Sequence, residues 1–205
     1  MPAHFDVESD DETLFTNNSG ETFVHKLQYK LNRILPADIA VQKIVRVRPD
    51  AHARFDAVER TYYYYITTEK NPFRVEHYYR IPFDVDFGRM NEAADLLVRK
   101  GDFASFAKTN SDVKTTICDV RRAVWVDLGD NAWRFEITAD RFLRNMVRAV
   151  VGTLLDVGRG RMQPSDMENV LRNRNRCAAG ESVFGRALFL HEVKYPANVF
   201  DYELP

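Results

Sequence analysis

The chain has few cysteines, and their placement excludes several kinds of site. Cys118 and Cys177 are its only cysteines, and neither forms a CxxC pair or stands at ligand spacing from a histidine. Isolated cysteines are typical of reduced thiols in a cytoplasmic protein and do not indicate a zinc site. The five histidines are scattered and contain no HxxxH pair, so we expect no metal.

Long apolar runs and nucleotide-loop motifs are also missing. No apolar run reaches the roughly 18 residues of a membrane-spanning helix, so no membrane span is expected. The opening MPAHFDVESDDETLF has no basic segment followed by an apolar one, unlike a secretory signal. A glycine-rich phosphate loop and a GxSxG motif are both absent, so the sequence has no signature of a P-loop nucleotide-binding protein or a serine hydrolase.

Charge is nearly balanced overall but unevenly distributed. The net charge is −1, yet residues 1–21 carry six acidic side chains and no basic one. Residues 141–176 carry eight arginines, no lysine and three carboxylates. The planar guanidinium fork suits phosphate, so this second segment is a candidate for phosphate contact. A solvated helix face produces the same composition, and this alternative stays open.

The hydrophobic pattern predicts an α+β fold with a mixed, mostly antiparallel sheet flanked by helices. Two strands, 117–127 and 132–139, are predicted to pair across a turn at 129–131. Alternating or β-rich stretches predict further strands, and 3.6-residue periodicity predicts helices. The further strands are expected at 39–48, 57–68, 77–81 and 187–195, and the helices at 23–34, 90–101, 140–157 and from 164 onward.

The strand at 57–68 contains RTYYYYI, with four consecutive tyrosines. Successive strand side chains point to opposite faces, so Tyr62 and Tyr64 share one face and Tyr63 and Tyr65 the other. By itself the run indicates a strand packed on both faces, with hydroxyls that reach water or polar partners.

The helix predicted at 140–157 contains RFLRNMVRAVVG. Its spacing places Arg141, Arg144 and Arg148 on one side, where Arg141 and Arg144 are RNA-contact or plain surface candidates. The rest of that helix is strongly apolar, so Arg148 is expected to be largely buried and to need a carboxylate partner. Asp140 lies two turns away on the same helix and is too distant for that role.

Several stretches, taken in their order along the chain, resemble the TruA family of tRNA pseudouridine synthases. They are LNRILPADIAV, HARFDAVERTYYYYI, GDFASF, RFLRNMVRAVVGTLLDVG and ALFLHEVKY, and the resemblance as a whole runs from about residue 3 to residue 196. The resemblance implies an isomerase that converts uridine to pseudouridine in the anticodon stem-loop of tRNA. It also implies no cofactor, a homodimer, and a fold of two ferredoxin- or RRM-like halves, the first incomplete.

The resemblance also assigns residues. Tyr62 is expected to stack on the target base, Leu188 to close the pocket around it, and Arg148 to pair with the catalytic aspartate. Arg54 and His52, in HARF, are expected to lie near the substrate. A carboxylate at the anomeric carbon parallels glycosidase chemistry, and the base must leave its stack to be reached.

The chain departs from the family pattern at one decisive place. The R-T-D-x-G-V-H motif with the catalytic aspartate should precede the strand that matches MPAHFDV, and no RTD occurs here. We therefore expect an amino-terminally truncated and inactive synthase. Its domains are predicted as a remnant at 1–56, a carboxy-terminal α/β domain at 57–198 and a tail at 199–205. SVFGRALFL also lacks the proline usual before the last strand, so the wall around Leu188 is expected to differ.

Two other hypotheses remain open. The first is a non-catalytic RNA-binding or structural protein that has lost the catalytic motif. The second is an α+β protein unrelated to RNA, in which the arginines of 141–176 are solvated surface. An upstream RTDxGVH would favour the synthase, and salt-dependent tRNA binding would exclude the unrelated protein.

Overall fold

The computed structural model of the protein describes residues 2–5, 23–109 and 114–200. The chain divides into two compact units, one from Ala57 to Lys194 and one from Pro2 to Asp56 together with the segment that begins at Tyr195. No helix within the described ranges is both long and apolar enough to cross a membrane. The predicted domain limits at 56 and 198 stay predictions.

The first unit is built on a mixed sheet. Its strands are β1 (Glu59–Thr67), β2 (Tyr79–Arg80), β3 (Lys100–Asp102), β4 (Ile117–Asp127), β5 (Ala132–Ala139) and β6 (Leu188–Lys194). β1 pairs antiparallel with β5 on one side. On its other side β1 pairs antiparallel with β6 and then, at its end, parallel with β2. β4 and β3 extend the sheet beyond β5.

Helices and apolar side chains cover one face of this sheet. The helices of the unit are α2 (Phe87–Asp95), α3 (Met146–Gly158) and α4 (Asp166–Asn173). α3 is apolar nearly all round, as expected of a helix inside a core. Its side chains join those of α2, β1, β4 and β5 in one cluster that includes Tyr64, Phe135 and Leu154. The α+β class predicted from the sequence is confirmed.

Most predicted elements exist, but several limits differ. The β4–β5 pair has the predicted bounds, with left-handed backbone at Gly129, Asp130 and Asn131 in the turn. The helix predicted at 90–101 is wrong in its extent: α2 ends at Asp95, and Gly101 lies in β3, where it pairs with Cys118. The helix predicted at 140–157 is also wrong at its start, because α3 begins only at Met146.

The second unit contains α1 (Phe23–Ile34), which matches its predicted extent. The strand predicted at 39–48 is wrong, because these residues form no ladder. Side chains of α1 bind this segment instead. Gln28 Nε2 donates to the carbonyls of Val41 and Gln42 at 3.0 and 2.9 Å, and Asn32 exchanges hydrogen bonds with the backbone of Val41.

Candidate active site

Strand pairing places the candidate substrate-binding residues of the first unit on one face of the sheet. In β1, Tyr62 stands opposite Leu190 of β6, and Tyr64 stands opposite Leu188. Residues directly opposite in antiparallel strands point to the same side. Tyr62, Tyr64 and Leu188 therefore share the face that carries the core and α3.

Tyr62 is half-buried, and the edge of its ring contacts another aromatic side chain. Its ring centroid lies 5.1 Å from that of Phe142 in a T-shaped arrangement. Burial raises the pKa of the Tyr62 hydroxyl, against the opposing charge of Arg60, so the group stays a neutral phenol near pH 7. The ring is held by packing and keeps part of its surface exposed.

Tyr64 is a buried anchor. Its side chain is fully enclosed, and its hydroxyl donates to the carbonyl oxygen of Phe184 at 2.8 Å. Burial raises the pKa of this hydroxyl far above its ordinary value, and the charges of Arg148 and Arg186 offset only part of that rise. Tyr64 thus ties β1 to the segment that leads into β6.

Arg148 lies in the first turn of α3 and is partly exposed, with most of its surface removed from solvent as expected from the sequence. Its Nε donates to the carbonyl oxygen of Val183 at 2.6 Å, and its own carbonyl accepts from the Val183 amide at 3.2 Å. Within the described part of the chain no carboxylate lies at ion-pair distance from its guanidinium. The carboxylate partner expected for Arg148 is therefore not among those residues.

Arg141 and Arg144 do not share a helix face with Arg148, contrary to the sequence-based expectation. Asn145 has a left-handed backbone (φ 70), which interrupts helical geometry just before α3. Hydrogen bonds to the backbone hold residues 141–144 instead. The Asp140 carboxylate accepts from the Arg141 amide at 2.7 Å, and the Arg144 carbonyl accepts from the Lys108 amide at 2.9 Å.

Residues 180–184, here called the strap, run alongside α3 and were missed by sequence reasoning. The Gly180 amide donates to Thr153 Oγ1 at 2.9 Å, and Asn145 Nδ2 donates to Ser182 Oγ at 2.5 Å. A Cβ on Gly152 would overlap the carbonyl oxygen of Glu181, so the backbones approach as closely as glycine allows. Gly152 and Gly180 are the only signals from which the sequence could have indicated this contact.

The strap, which is bound by Arg148 of α3 and Tyr64 of β1, leads into β6. A 3₁₀ turn at Gly185–Ala187 follows it and ends where Leu188 begins β6. Leu188 is half-buried and packs against the core. Tyr62 and Leu188 therefore lie on paired strands, and Arg148 binds the strap that precedes Leu188. The structure shows no closer connection among these three predicted residues.

His52 and Arg54 belong to the second unit. His52 Nδ1 accepts from the backbone amides of Arg54 and Phe55 at 3.1 and 3.4 Å, so this ring nitrogen stabilises its own turn. Arg54 is exposed, and its guanidinium carbon lies 5.7 Å from the Phe55 ring centroid. Asp56 pairs with Arg48 at 2.8 Å and closes the same turn.

The arrangement around β1 and α3 offers an aromatic ring, an apolar side chain and a cation, which suit a planar base and a nearby anion. Among the described residues no group of three or more histidine, cysteine or acidic side chains could hold a metal ion.

Comparison with known proteins gives a consistent result. Residues 93–196 match a family model described as tRNA pseudouridine synthase. The chain is 52% identical over 202 residues to the tRNA pseudouridine synthase A of Bacteroides fragilis, covering 98% of this chain and 76% of that protein. The protein of the same name from Bacteroides thetaiotaomicron is 48% identical over 205 residues, with 99% and 72% coverage. That from Bacillus subtilis is 36% identical over 169 residues, with 82% and 68% coverage.

Proposed function

Because the chain belongs to the family of tRNA pseudouridine synthases, we propose that it isomerises uridine to pseudouridine in tRNA. One observation supports this best. Tyr62 and Leu188 lie on one face of the sheet, and Arg148 donates a hydrogen bond to the strap that leads into β6, the strand of Leu188. A flipped uridine needs a ring to stack on, an apolar wall and a charge that orients the reacting group.

The reaction is an internal transfer. The C1′–N1 bond breaks, the base turns, and a C1′–C5 bond forms, while the proton on C5 leaves to water and N1 gains one. A carboxylate assists at C1′, either by covalent attack or by helping to deprotonate the sugar. In this proposal Arg148 is a positioning residue that orients the carboxylate, and Tyr62 stacks on the base while it turns.

The first test follows the proton that leaves C5. Transfer RNA labelled with tritium at C5 of uridine is incubated with the protein, and tritium released into water is counted. The chain is assayed alone and joined to an amino-terminal segment that carries R-T-D-x-G-V-H. Release by either form supports the synthase. Binding of tRNA without release by both forms would favour a non-catalytic RNA-binding protein.

The role of Tyr62 has its own test, in which an exposed ring elsewhere on the first unit serves as the control. Tyr62→Phe keeps the ring and is expected to retain tritium release within about tenfold, whereas Tyr62→Leu loses the stacking surface, worth ~1–3 kcal/mol. Phe73→Leu removes an exposed ring that contacts no other ring among the described residues, and it is expected to leave release unchanged. Equal losses from Tyr62→Leu and Phe73→Leu would show that the loss is not specific to the Tyr62 ring.

We propose uridines of the anticodon stem-loop as the substrate, with Arg141, Arg144, His52 and Arg54 near the RNA. The eight arginines between residues 141 and 176 support phosphate contact. Mapping of pseudouridine positions in the product tRNA tests the choice of substrate. Arg141→Gln and Arg144→Gln should each lower the slope of log Kd against log salt, and unchanged slopes would remove them from the interface.

A cytoplasmic location stays a prediction, which cell fractionation tests.

We also propose a homodimer. The sheet face opposite α3 is partly exposed and rich in aromatic side chains, with Tyr63, Tyr65 and Phe189 around an open depression of about 420 Å³. Such a face is suited to a second copy because aromatic side chains are enriched in interfaces. Sedimentation equilibrium should give a dimer for the wild type and a monomer for Phe189→Asp with unchanged circular dichroism. A monomeric wild type would overturn this proposal.

A further inference from the structure

Phe184 presents an exposed ring on a fixed backbone. Phe184 is 64% exposed, although the backbone of the strap is held by hydrogen bonds. Its carbonyl oxygen accepts from the buried Tyr64 hydroxyl at 2.8 Å, and the preceding carbonyl, of Val183, accepts from Arg148 Nε at 2.6 Å. The entropy of ordering this backbone has therefore been lost in the free protein, so a ligand that meets the ring need not order it.

The ring is also supported from the core side. The Phe184 centroid lies 5.7 Å from that of Tyr79, whose ring in turn lies 6.5 Å from that of the buried Tyr64. Three rings thus lead from the interior of the site to the surface. Phe73 provides a contrast: it is 96% exposed and makes no ring contact with any other described residue. Single exposed apolar residues such as Phe73 need no explanation, whereas a supported and anchored ring does.

Two arginines lie near the backbone of Phe184. Arg186 is exposed two residues further on, and among the described residues no carboxylate lies at ion-pair distance from it. The Arg148 guanidinium lies 3.9 Å from where a Cβ on Gly185 would stand, and the charges of both arginines act on the hydroxyl that binds the Phe184 carbonyl. An exposed ring on a backbone with two arginines nearby matches the chemistry of single-stranded nucleic acid, in which a base stacks and the phosphates pair with arginine.

We propose that Phe184 stacks on a nucleobase of the bound tRNA, one that neighbours the uridine placed against Tyr62, and that Arg186 contacts its phosphate. The inference rests on the proposed function and adds a second base-stacking position to it. The neighbouring base does not react, so Phe184 contributes equally to the ground state and the transition state. Its removal should raise KM and Kd while leaving the rate at saturation unchanged.

The test compares Phe184→Leu with Phe184→Tyr, and both with Phe73→Leu as the matched control. Phe184→Leu should weaken tRNA binding by about 5-fold to 150-fold in Kd, the ratio that corresponds to ~1–3 kcal/mol of stacking. In the form joined to the R-T-D-x-G-V-H segment, single-turnover tritium release at saturating enzyme should stay within twofold of the same form without the substitution. Phe184→Tyr and Phe73→Leu should both bind as the wild type does. If Phe184→Leu bound tRNA as tightly as an active wild type does, this inference would be overturned and the proposed function would stand.

Salt dependence distinguishes stacking from charge. Phe184→Leu should leave the slope of log Kd against log salt unchanged, because a stacked ring releases no counterion. Arg186→Gln should reduce the slope by roughly 0.7–0.9, the value for one phosphate contact. An unchanged slope in Arg186→Gln would remove Arg186 from the proposal. A wild type that neither binds tRNA nor releases tritium would instead overturn the proposed function, and this inference with it.

Discussion

Replacement of Gly152 by alanine tests how closely the strap approaches α3. An added Cβ would overlap the carbonyl oxygen of Glu181 and lie 2.9 Å from its carbonyl carbon. Carbon atoms prefer about 3.5–4.0 Å, so the strap backbone has to move outward. That movement strains the hydrogen bonds from Gly180 to Thr153 and from Val183 to Arg148.

The expected cost follows from these contacts. Overpacking in a core costs about 1–3 kcal/mol, and each hydrogen bond lost contributes about 1 kcal/mol. Alanine in a helix recovers ~1 kcal/mol relative to glycine. We therefore expect Gly152→Ala to lower the free energy of unfolding by roughly 2–4 kcal/mol. In the form joined to the R-T-D-x-G-V-H segment, it should also reduce tritium release at a temperature where the variant is still folded, because the strap positions Arg148.

Urea unfolding followed by circular dichroism measures this difference. Gly101→Ala is the control: its Cβ would lie 3.6 Å from the nearest atom, at ordinary contact distance. Glycine in a strand is unfavourable by ~0.5–1 kcal/mol relative to alanine, so Gly101→Ala should be neutral or slightly stabilising. If Gly152→Ala were as stable as the wild type, the close packing of the strap on α3 would be refuted.

Two further predictions follow from charges and thiols. The pKa of Glu136 is raised by burial but lowered more by hydrogen bonds from Arg134 and Arg122, with a net value below the ordinary 4.5. The ionised Glu136 carboxylate therefore stabilises the fold fully above pH 4.5, and this stabilisation is lost as the pH falls through the lowered pKa. The difference in unfolding free energy between the wild type and Glu136→Gln should become smaller in acid. A difference that does not change with pH would contradict this. Burial raises the pKa of the Cys118 thiol to about 12, whereas Cys177 is exposed, so a thiol reagent should titrate one group in the native protein and two in denaturant. Equal reaction of both in the native state would contradict the buried position of Cys118.

The elements that depend on neighbours in the chain could be predicted from the sequence. The β4–β5 pair has the predicted limits because alternating side chains and a turn at Gly129–Asn131 specify it locally. The tyrosine strand and α1 also lie where they were predicted, since a period of two or of 3.6 residues is visible in each. The two faces of β1 follow from the same alternation.

Where a segment depends on a distant partner, the same reasoning fails. Residues 39–48 alternate like a strand, but Gln28 and Asn32 bind this backbone, and no ladder forms. The start of α3 was misplaced because Asn145 adopts a left-handed backbone and bonds to Ser182, which lies far along the chain. The predicted row of three arginines was lost with it.

The sequence by itself determined the family, the β1 and β4–β5 strands and the residues on each face of β1, because motifs and periodicity are local. Only the tertiary structure decided where the Arg148 guanidinium is held and which ring is presented at the surface. Both depend on the strap, whose carbonyls are bound by Arg148 and Tyr64 from 35 and 120 positions away. Hydrogen bonds between such distant residues leave no periodic pattern, so they become visible only when the chain is folded.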